Sequence, residues 1–530
     1  MRNQFICCCL LLVFLLFTGT LVKADPWDDW KVGTEAEATQ PALAERSFRA
    51  AAVAFEQADD WEDAAYAWTK VFHLNDRLGR LTEAGMNYQR EAYCYNKAGH
   101  ADWAWHDSLR GETLKSAVRV FYRPNTPEIL PVAQNLAKYE PGAGIYLGMY
   151  QECGVAVDDY SRVKALYGRQ HALYLSYGHF YSPGKILIAD DTIERIKRIP
   201  GAGMVMGLEP NGGLAAMNEA DVTIVAQKFA KAGFPVFLRF ASEMNMEGSN
   251  QWHGDPDLYV TWFRKVATIM RREAPNVVMV WNPFDVIQPE GMKADALKYY
   301  PGDDYVDWIG VNFYNDYFFG GKLNEPGEGI CPLQRLDYWY RMFASRKPII
   351  IGECGITHRP LKPVDKDVSR WAEMNVRRFF TLLPIMYPRI KAFVYFDLNE
   401  SQVKNMPRMT NDYRLSGNDD LCGAYRTAIA APYFLEKVGD SSVEPQYKEV
   451  LEGGKLTGVV NLTSYAKCYD PFISHVDYYL NDNLIGTAKQ VPYALIYDFS
   501  TVTGQAQLTV KVYDSNNLFA CSRVVNIDNR

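Results

Sequence analysis

The chain lacks a basic surplus. Its 56 Lys and Arg stand against 63 Asp and Glu, a formal net charge of −7 over 530 residues. A protein built to hold a polyanion carries an excess of positive charge, so nucleic acid is excluded as an expected partner. Polar low-complexity composition is also absent: hydrophobic residues reach 48%, which excludes a disordered chain. Beyond residue 24 no apolar run is long enough, without charges, to cross a membrane. Cysteine is scarce, at 10 residues, and shows no metal-ligand spacing. There is no Gly-rich phosphate loop after an early strand, which argues against a doubly wound nucleotide-binding sheet. No strand-end lysine marks an aldolase-like barrel. No metal and no organic cofactor is expected.

What is present begins at the N-terminus. Arg2, the apolar run Phe5 to Phe17 and the small residues of Val22-Lys23-Ala24 predict a secretory signal over residues 1–24, cleaved after Ala24. The mature chain is then expected to be secreted or periplasmic and free of the membrane. Cys7, Cys8 and Cys9 leave with the signal. Cys94, Cys153, Cys331, Cys354, Cys422, Cys468 and Cys521 remain, and an oxidising compartment predicts one or two disulfides among them, with Cys468–Cys521 the first choice. Asn461-Leu462-Thr463 is a glycosylation sequon, meaningful in a eukaryotic source.

Three textures follow. From about Pro41 to Val120 apolar residues recur at helical spacing, and the Ala-rich stretch Ala54–Trp68 matches Cys94–Ser108 at an offset of 40 residues. This helical region, residues 37–122, resembles tetratricopeptide-like repeats, which implies a surface for protein contact; a short helical prelude to the next domain is the plainer alternative. From 137 to 440, short apolar runs alternate with helical stretches. The runs are Gly144 to Tyr150, Ala172 to His179, Met204 to Glu209, Val236 to Glu243, Val277 to Asn282, Trp308 to Tyr314, Pro348 to Glu353 and Ala392 to Asp397. Such a series predicts a (β/α)8 barrel, an α/β fold of parallel strands ringed by helices. From 450 to 530 short alternating strands and the turn Asn481-Asp482-Asn483 predict a β-sandwich. The stretch Val476 to Asn517 resembles bacterial immunoglobulin-like modules, which serve as spacers or glycan-contacting appendages.

Among the apolar runs that end in a glutamate, PVFLRFASEMN carries Glu243 and KPIIIGECG carries Glu353. A run as β-branched as Ile349-Ile350-Ile351 is a strand buried on both faces, so an ionisable residue at its end is out of place. The C-terminal rim is where a (β/α)8 barrel keeps its chemistry. Two carboxyl groups on one rim are what a glycosidase needs, one to protonate the leaving oxygen and one to attack. Strand ends also offer Glu209, Asp285, Asp307 and Asp397, so the pair is more informative than any single carboxylate.

The segment R-F-A-S-E-M-N around Glu243, with Trp252 following, resembles the fourth-strand acid/base motif of glycoside hydrolase family 26. K-P-I-I-I-G-E-C-G is similar to the seventh-strand nucleophile motif of clan A hydrolases, and Tyr305 to Tyr314 and Val280 to Pro283 resemble the family's sixth and fifth strands. The resemblance covers about Gly144 to Asn399. It implies a retaining hydrolase of a β-linked, mannan-like polysaccharide, with Glu243 as acid/base, Glu353 as nucleophile, Tyr314 orienting Glu353, and Arg239 and Asn245 in support. Trp252, Trp281 and Tyr314 are the expected sugar-stacking aromatics, and His179 and His253 are candidates for the same cleft. Trp308 reads as core, and Cys354 should point away from the cleft. Ser242 stands where the family usually has His, which leaves the sugar open. A carbohydrate-binding or scaffolding barrel without catalysis is the competing reading.

Overall fold

The computed structural model describes residues 25–100, 116–125, 135–151, 160–188, 190–246, 251–285, 295–318, 333–362, 364–402, 410–442 and 447–530. The expected signal segment lies outside them, as do Cys153, Cys331 and most of the second copy of the helical repeat. The chain forms two compact units, Met1–Gly111 and Glu112–Arg530.

In the first unit, helices span Pro26–Ala36, Pro41–Gln57, Trp61–Arg77 and Leu81–Lys97. The last three start at 41, 61 and 81. After each of these helices the backbone turns left-handed, at Asp59, Gly79 and Gly99. The repeat is therefore one helix plus a short turn, and the longer period visible in the sequence is two such steps. Buried alanines (Ala44, Ala51, Ala52, Ala64, Ala65) let the helices pack closely. Glu56 is held between Trp68 Nε1 (2.7 Å) and Arg90 Nε (2.6 Å).

In the second unit eight parallel strands close into a barrel. The first strand is broken into Ile145–Tyr146 and Gly148–Tyr150; the others are Leu173–Ser182, Gly203–Glu209, Val236–Phe240, Val277–Trp281, Trp308–Asn315, Ile349–Ile356 and Ile390–Phe396. The eighth closes the ring by pairing with the first (Tyr395 opposite Met149) and the seventh (Ile351 opposite Phe393). Strand alternation feeds two cores. Phe237, Val278, Val280, Trp308 and Ile350 fill the interior. Leu238, Met279, Trp281, Ile309 and Ile351 pack outward against helical residues such as Phe229, Phe263 and Phe379. Burial on both faces is why these strands read as unbroken apolar runs.

The C-terminal region holds two four-stranded antiparallel sheets. One contains Lys448–Glu449, Val459–Lys467 and Leu495–Asp498; the other contains Ile473–Leu480, Asn483–Ala488, Gln505–Asp514 and Phe519–Asp528. Val120, Val460 and Leu462 from the first share one apolar cluster with Val476, Tyr478, Leu508 and Val510 from the second. Asn481 and Asp482 both take left-handed φ (47° and 65°), the conformation a two-residue hairpin turn requires.

Two expectations are corrected here. The helical reading to Val120 fails at its end: Ala117–Pro124 is a strand, paired along its whole length with Val459–Lys467 and by Phe121 and Tyr122 with Lys448–Glu449. Its β-branched, aromatic content (Val118, Val120, Phe121, Tyr122) suits a sheet, and the barrel is thus inserted between two neighbouring strands of that sheet. The Cys468–Cys521 bridge is absent. All the described cysteines are free thiols, with Cys468 donating to the Asp470 carbonyl (3.2 Å) and Cys521 turned to that of Lys467 (4.0 Å). The sheets also meet the barrel directly, through Arg119 on Asp337 (3.0 Å) and the Tyr465 hydroxyl on Gln334 (2.6 Å).

Candidate active site

The interior alternation of the fourth strand that places Phe237 in the core also turns Arg239 inward, where it is 1% exposed. A buried guanidinium demands an anion. Its Nη2 donates to Glu353 Oε1 at 2.6 Å and its Nη1 to the Gly352 carbonyl at 2.8 Å. Glu353 itself is buried in the seventh strand and accepts two further hydrogen bonds, from the Tyr177 hydroxyl to Oε1 (2.6 Å) and from the Tyr314 hydroxyl to Oε2 (2.8 Å). An ionised carboxylate accepts all three. Burial, and then the Glu353 charge, push both phenols well above their ordinary range, so both remain donors. Gly352 leaves room for this packing: a β-carbon there would meet Asn282 Oδ1 at 2.1 Å.

Glu243 is presented differently. After Phe240 the chain leaves the strand through two left-handed residues, Ala241 (φ 47°) and Glu243 (φ 57°). Each such non-glycine residue costs about 1–2 kcal/mol. Neighbours hold the turn: Ala241 N–H donates to the Leu208 carbonyl (2.9 Å), Glu243 N–H to that of Asn282 (2.8 Å), and Trp252 Nε1 to that of Ser242 (2.7 Å). The Glu243 carboxyl accepts from Asn312 Nδ2 at 2.7 Å, and Asn312 Oδ1 accepts in turn from Asn282 Nδ2 at 2.9 Å. Removal from water, then the negative charge of Glu353, raise Glu243 from an ordinary 4.5 to about 7, against the opposing pull of Asn312 and Arg239.

Glu243 and Glu353 line one cleft of about 850 Å³, together with Tyr177, His179, Arg239, Trp252 and Tyr314. Other expected site residues lie elsewhere. Trp281 is fully buried on the outward face, edge-on to Trp339 and Tyr300, because it shares alternation with Val277 and Met279. It cannot stack on a sugar. Asn245 is a brace: its side chain exchanges hydrogen bonds with the backbone of Phe284 (2.8 and 3.0 Å). His253 bonds the Met244 carbonyl (2.8 Å) and stacks on Tyr299. Cys354 lies in the outward core. Asp285 pairs with Arg335 (2.7 Å), and Asp397 accepts from Tyr167 and Gln151.

Sequence reasoning missed Tyr177 and Asn312. Each stands two residues before a residue it did single out, His179 and Tyr314, and alternation along those strands was the available signal. Tyr150 stacked on Phe396 (4.6 Å) and the carboxyls of Asp316 and Glu400 also line the cleft, from strand ends and loops that carry no local pattern.

Residues 211–321 match the model of glycosyl hydrolase family 26. This stretch holds Glu243, Asn312 and Tyr314 and stops short of Glu353, so the barrel is family-26-like over its middle strands. Endoglucanase H of Acetivibrio thermocellus is 26% identical over 221 residues, 40% of this chain and 22% of that protein. The chain thus spans about a fifth of that relative's length. Among solved structures, a Cellulomonas fimi endo-β-1,4-mannanase double mutant aligns over 76% of this chain and 98% of its own, at 12% identity and a TM-score of 0.40. GH26A from Muricauda sp. aligns over 56% and 92%, at 18% and 0.35. These likenesses are loose, and the barrel assignment stands on its own strand pairing.

Proposed function

We propose that this chain is a secreted, retaining glycoside hydrolase that cleaves a β-linked polysaccharide by double displacement. The observation that carries the reading is the inequality of the two glutamates. Glu353 is tied to Arg239 and two phenols, as a nucleophile must be to stay ionised and aimed. Glu243 is raised to about 7 by its surroundings, as an acid must be to hold a proton near neutrality. In the first step Glu353 attacks the anomeric carbon while Glu243 protonates the departing oxygen. In the second, Glu243 takes a proton from water, which displaces Glu353 from the sugar. The reaction needs no resident metal or organic cofactor. The C-terminal sheets fit an immunoglobulin-like β-sandwich that braces the catalytic barrel.

The test is a screen of the mature chain on mannans, xylans, β-glucans and uronic-acid polymers, with the first-formed anomer read by NMR. Glu353→Ala and Glu243→Gln should each abolish turnover. For Glu243→Gln, azide should restore cleavage of an activated aryl glycoside. An inverted product, or activity retained in the Glu353 variant, overturns the assignment. A folded chain inert on every glycan favours a binding or scaffolding barrel.

A further inference from the structure

Strand alternation stacks the barrel interior in layers. One layer is the row Leu175, Val205 and Phe237, in register across the second, third and fourth strands. The next inward row is Tyr177, Gly207 and Arg239. Its middle member has no side chain. A β-carbon on Gly207 would lie 2.7 Å from Tyr177 Cδ1 and 2.8 Å from Cε1, so the phenol ring occupies the space that any other residue there would fill. Tyr150 packs edge-on against the same ring, at 5.5 Å. A glycine inside a strand weakens it. Here the gap lets the two long side chains that flank it converge on one atom across the barrel: the Tyr177 hydroxyl and Arg239 Nη2 each reach Glu353 Oε1 at 2.6 Å.

An ionised carboxylate offers about four lone-pair sites, two on each oxygen. Tyr177 and Arg239 fill both on Oε1, Tyr314 fills one on Oε2, and among the described residues no donor takes the fourth. The lone pair left to form a bond is on Oε2. We propose that Oε2 is the oxygen that attacks the sugar, and that Tyr177, seated over Gly207, is the positioning residue that assigns the two oxygens their roles. The attack itself rests on the reading of Glu353 as nucleophile. Oε2 bonds to the anomeric carbon as the bond to the leaving oxygen breaks, and Oε1 becomes the carbonyl oxygen of the ester with Tyr177 still on it. When water attacks and gives its proton to Glu243, Oε2 departs with the bonding pair and negative charge returns to the carboxylate. A hydrogen bond to Oε1 strengthens as that charge develops, so Tyr177 speeds the second step. In the first step the charge drains away and the bond gains nothing.

The experiment compares Tyr177→Phe, which keeps the ring and deletes one oxygen, with Gly207→Ala, which puts a β-carbon where the ring lies. Its first readout needs no turnover: NMR of the full mature chain carrying ¹³C at its glutamate carboxyls, with the Glu353 signal identified by its loss in Glu353→Gln. That signal should shift in Tyr177→Phe, and Gly207→Ala should move it the same way. A signal unmoved in either variant overturns the proposal. The second readout is an aryl glycoside of the cleaved glycan with a good leaving group, for which the second step limits kcat and the first sets kcat/KM. Tyr177→Phe should lower kcat by about 10- to 100-fold and kcat/KM much less, so that KM falls with kcat. Equal losses in kcat and kcat/KM, the mark of a merely structural role, overturn it. If the signal moves but wild type cleaves no glycan, the hold of Tyr177 on Oε1 stands, and the hydrolase reading fails together with the attack by Oε2.

Discussion

Along the ladder between Ile473–Leu480 and Gln505–Asp514 in the C-terminal sheets, Val476, Tyr478, Leu508, Val510 and Val512 are fully buried, while Asp477, Tyr479, Lys511 and Tyr513 alternate to the other face. At the barrel rim the buried groups are Arg239, Asn282, Asn312 and Glu353, and beside them the backbone at Ala241 and Glu243 is left-handed. Both regions are β-structure, and both exclude water. That ladder does so with groups that gain by it, whereas the rim confines charges that would be cheaper in solvent and braces them with hydrogen bonds. Stability and chemistry are thus placed in different parts of one folded unit.

Substitutions should separate the two. The largest effect is expected from Glu353→Gln, which should cost activity about a thousandfold or more while shifting Tm by only a few degrees. Gln keeps an acceptor for Arg239, whereas Ala would strand a buried guanidinium and blur the comparison. Leu508→Ala is the converse: a loss of about 2–5 kcal/mol in chemical denaturation, with kcat unchanged below the melting range. A fall in kcat at constant fold would show that the sheets reach the chemistry. Tyr314→Phe removes one of the donors to Glu353 and should lower kcat by roughly 10- to 100-fold, with less than about 1 kcal/mol lost in stability.

The smallest effect has the opposite sign. Folded, Glu243 holds its proton to about pH 7, against an ordinary 4.5. The folded state therefore binds an extra proton between those values, and stability falls as pH rises through that window. Glutamine does not ionise, so Glu243→Gln should raise stability by about 2 kcal/mol at pH 8 and leave it unchanged at pH 4. Thermal melts at the two pH values read the difference directly. Equal shifts at both would mean that the rim charge carries no such penalty.

The barrel was legible because burial on both faces leaves a continuous apolar run, and each of the eight runs became a strand near its expected bounds. Glu243 and Glu353 were legible as charges at the ends of such runs. Trp281 misled because it stands at a strand end, while its alternation with Met279 turns it to the outward core. Ala117–Pro124 was unreadable as a strand because its partner, Val459–Lys467, is remote and no local turn announces it. Asp316, Glu400 and Tyr413 reach the cleft by the course of loops, a property of tertiary structure with no periodic trace.

That remote pairing bears on how the molecule is made. On the ribosome, Ala117–Pro124 emerges before any barrel strand, and the strand it pairs with along its whole length emerges after all of them. For most of synthesis it is an open edge with Val118, Val120 and Phe121 exposed, the kind of segment that recruits wrong partners. Closure of that sheet is a late, long-range step that slows folding. A chain released before Lys467 would carry a complete barrel with a sticky N-terminal flank, so recombinant truncations that discard the C-terminal sheets are expected to aggregate even where the catalytic segment is whole.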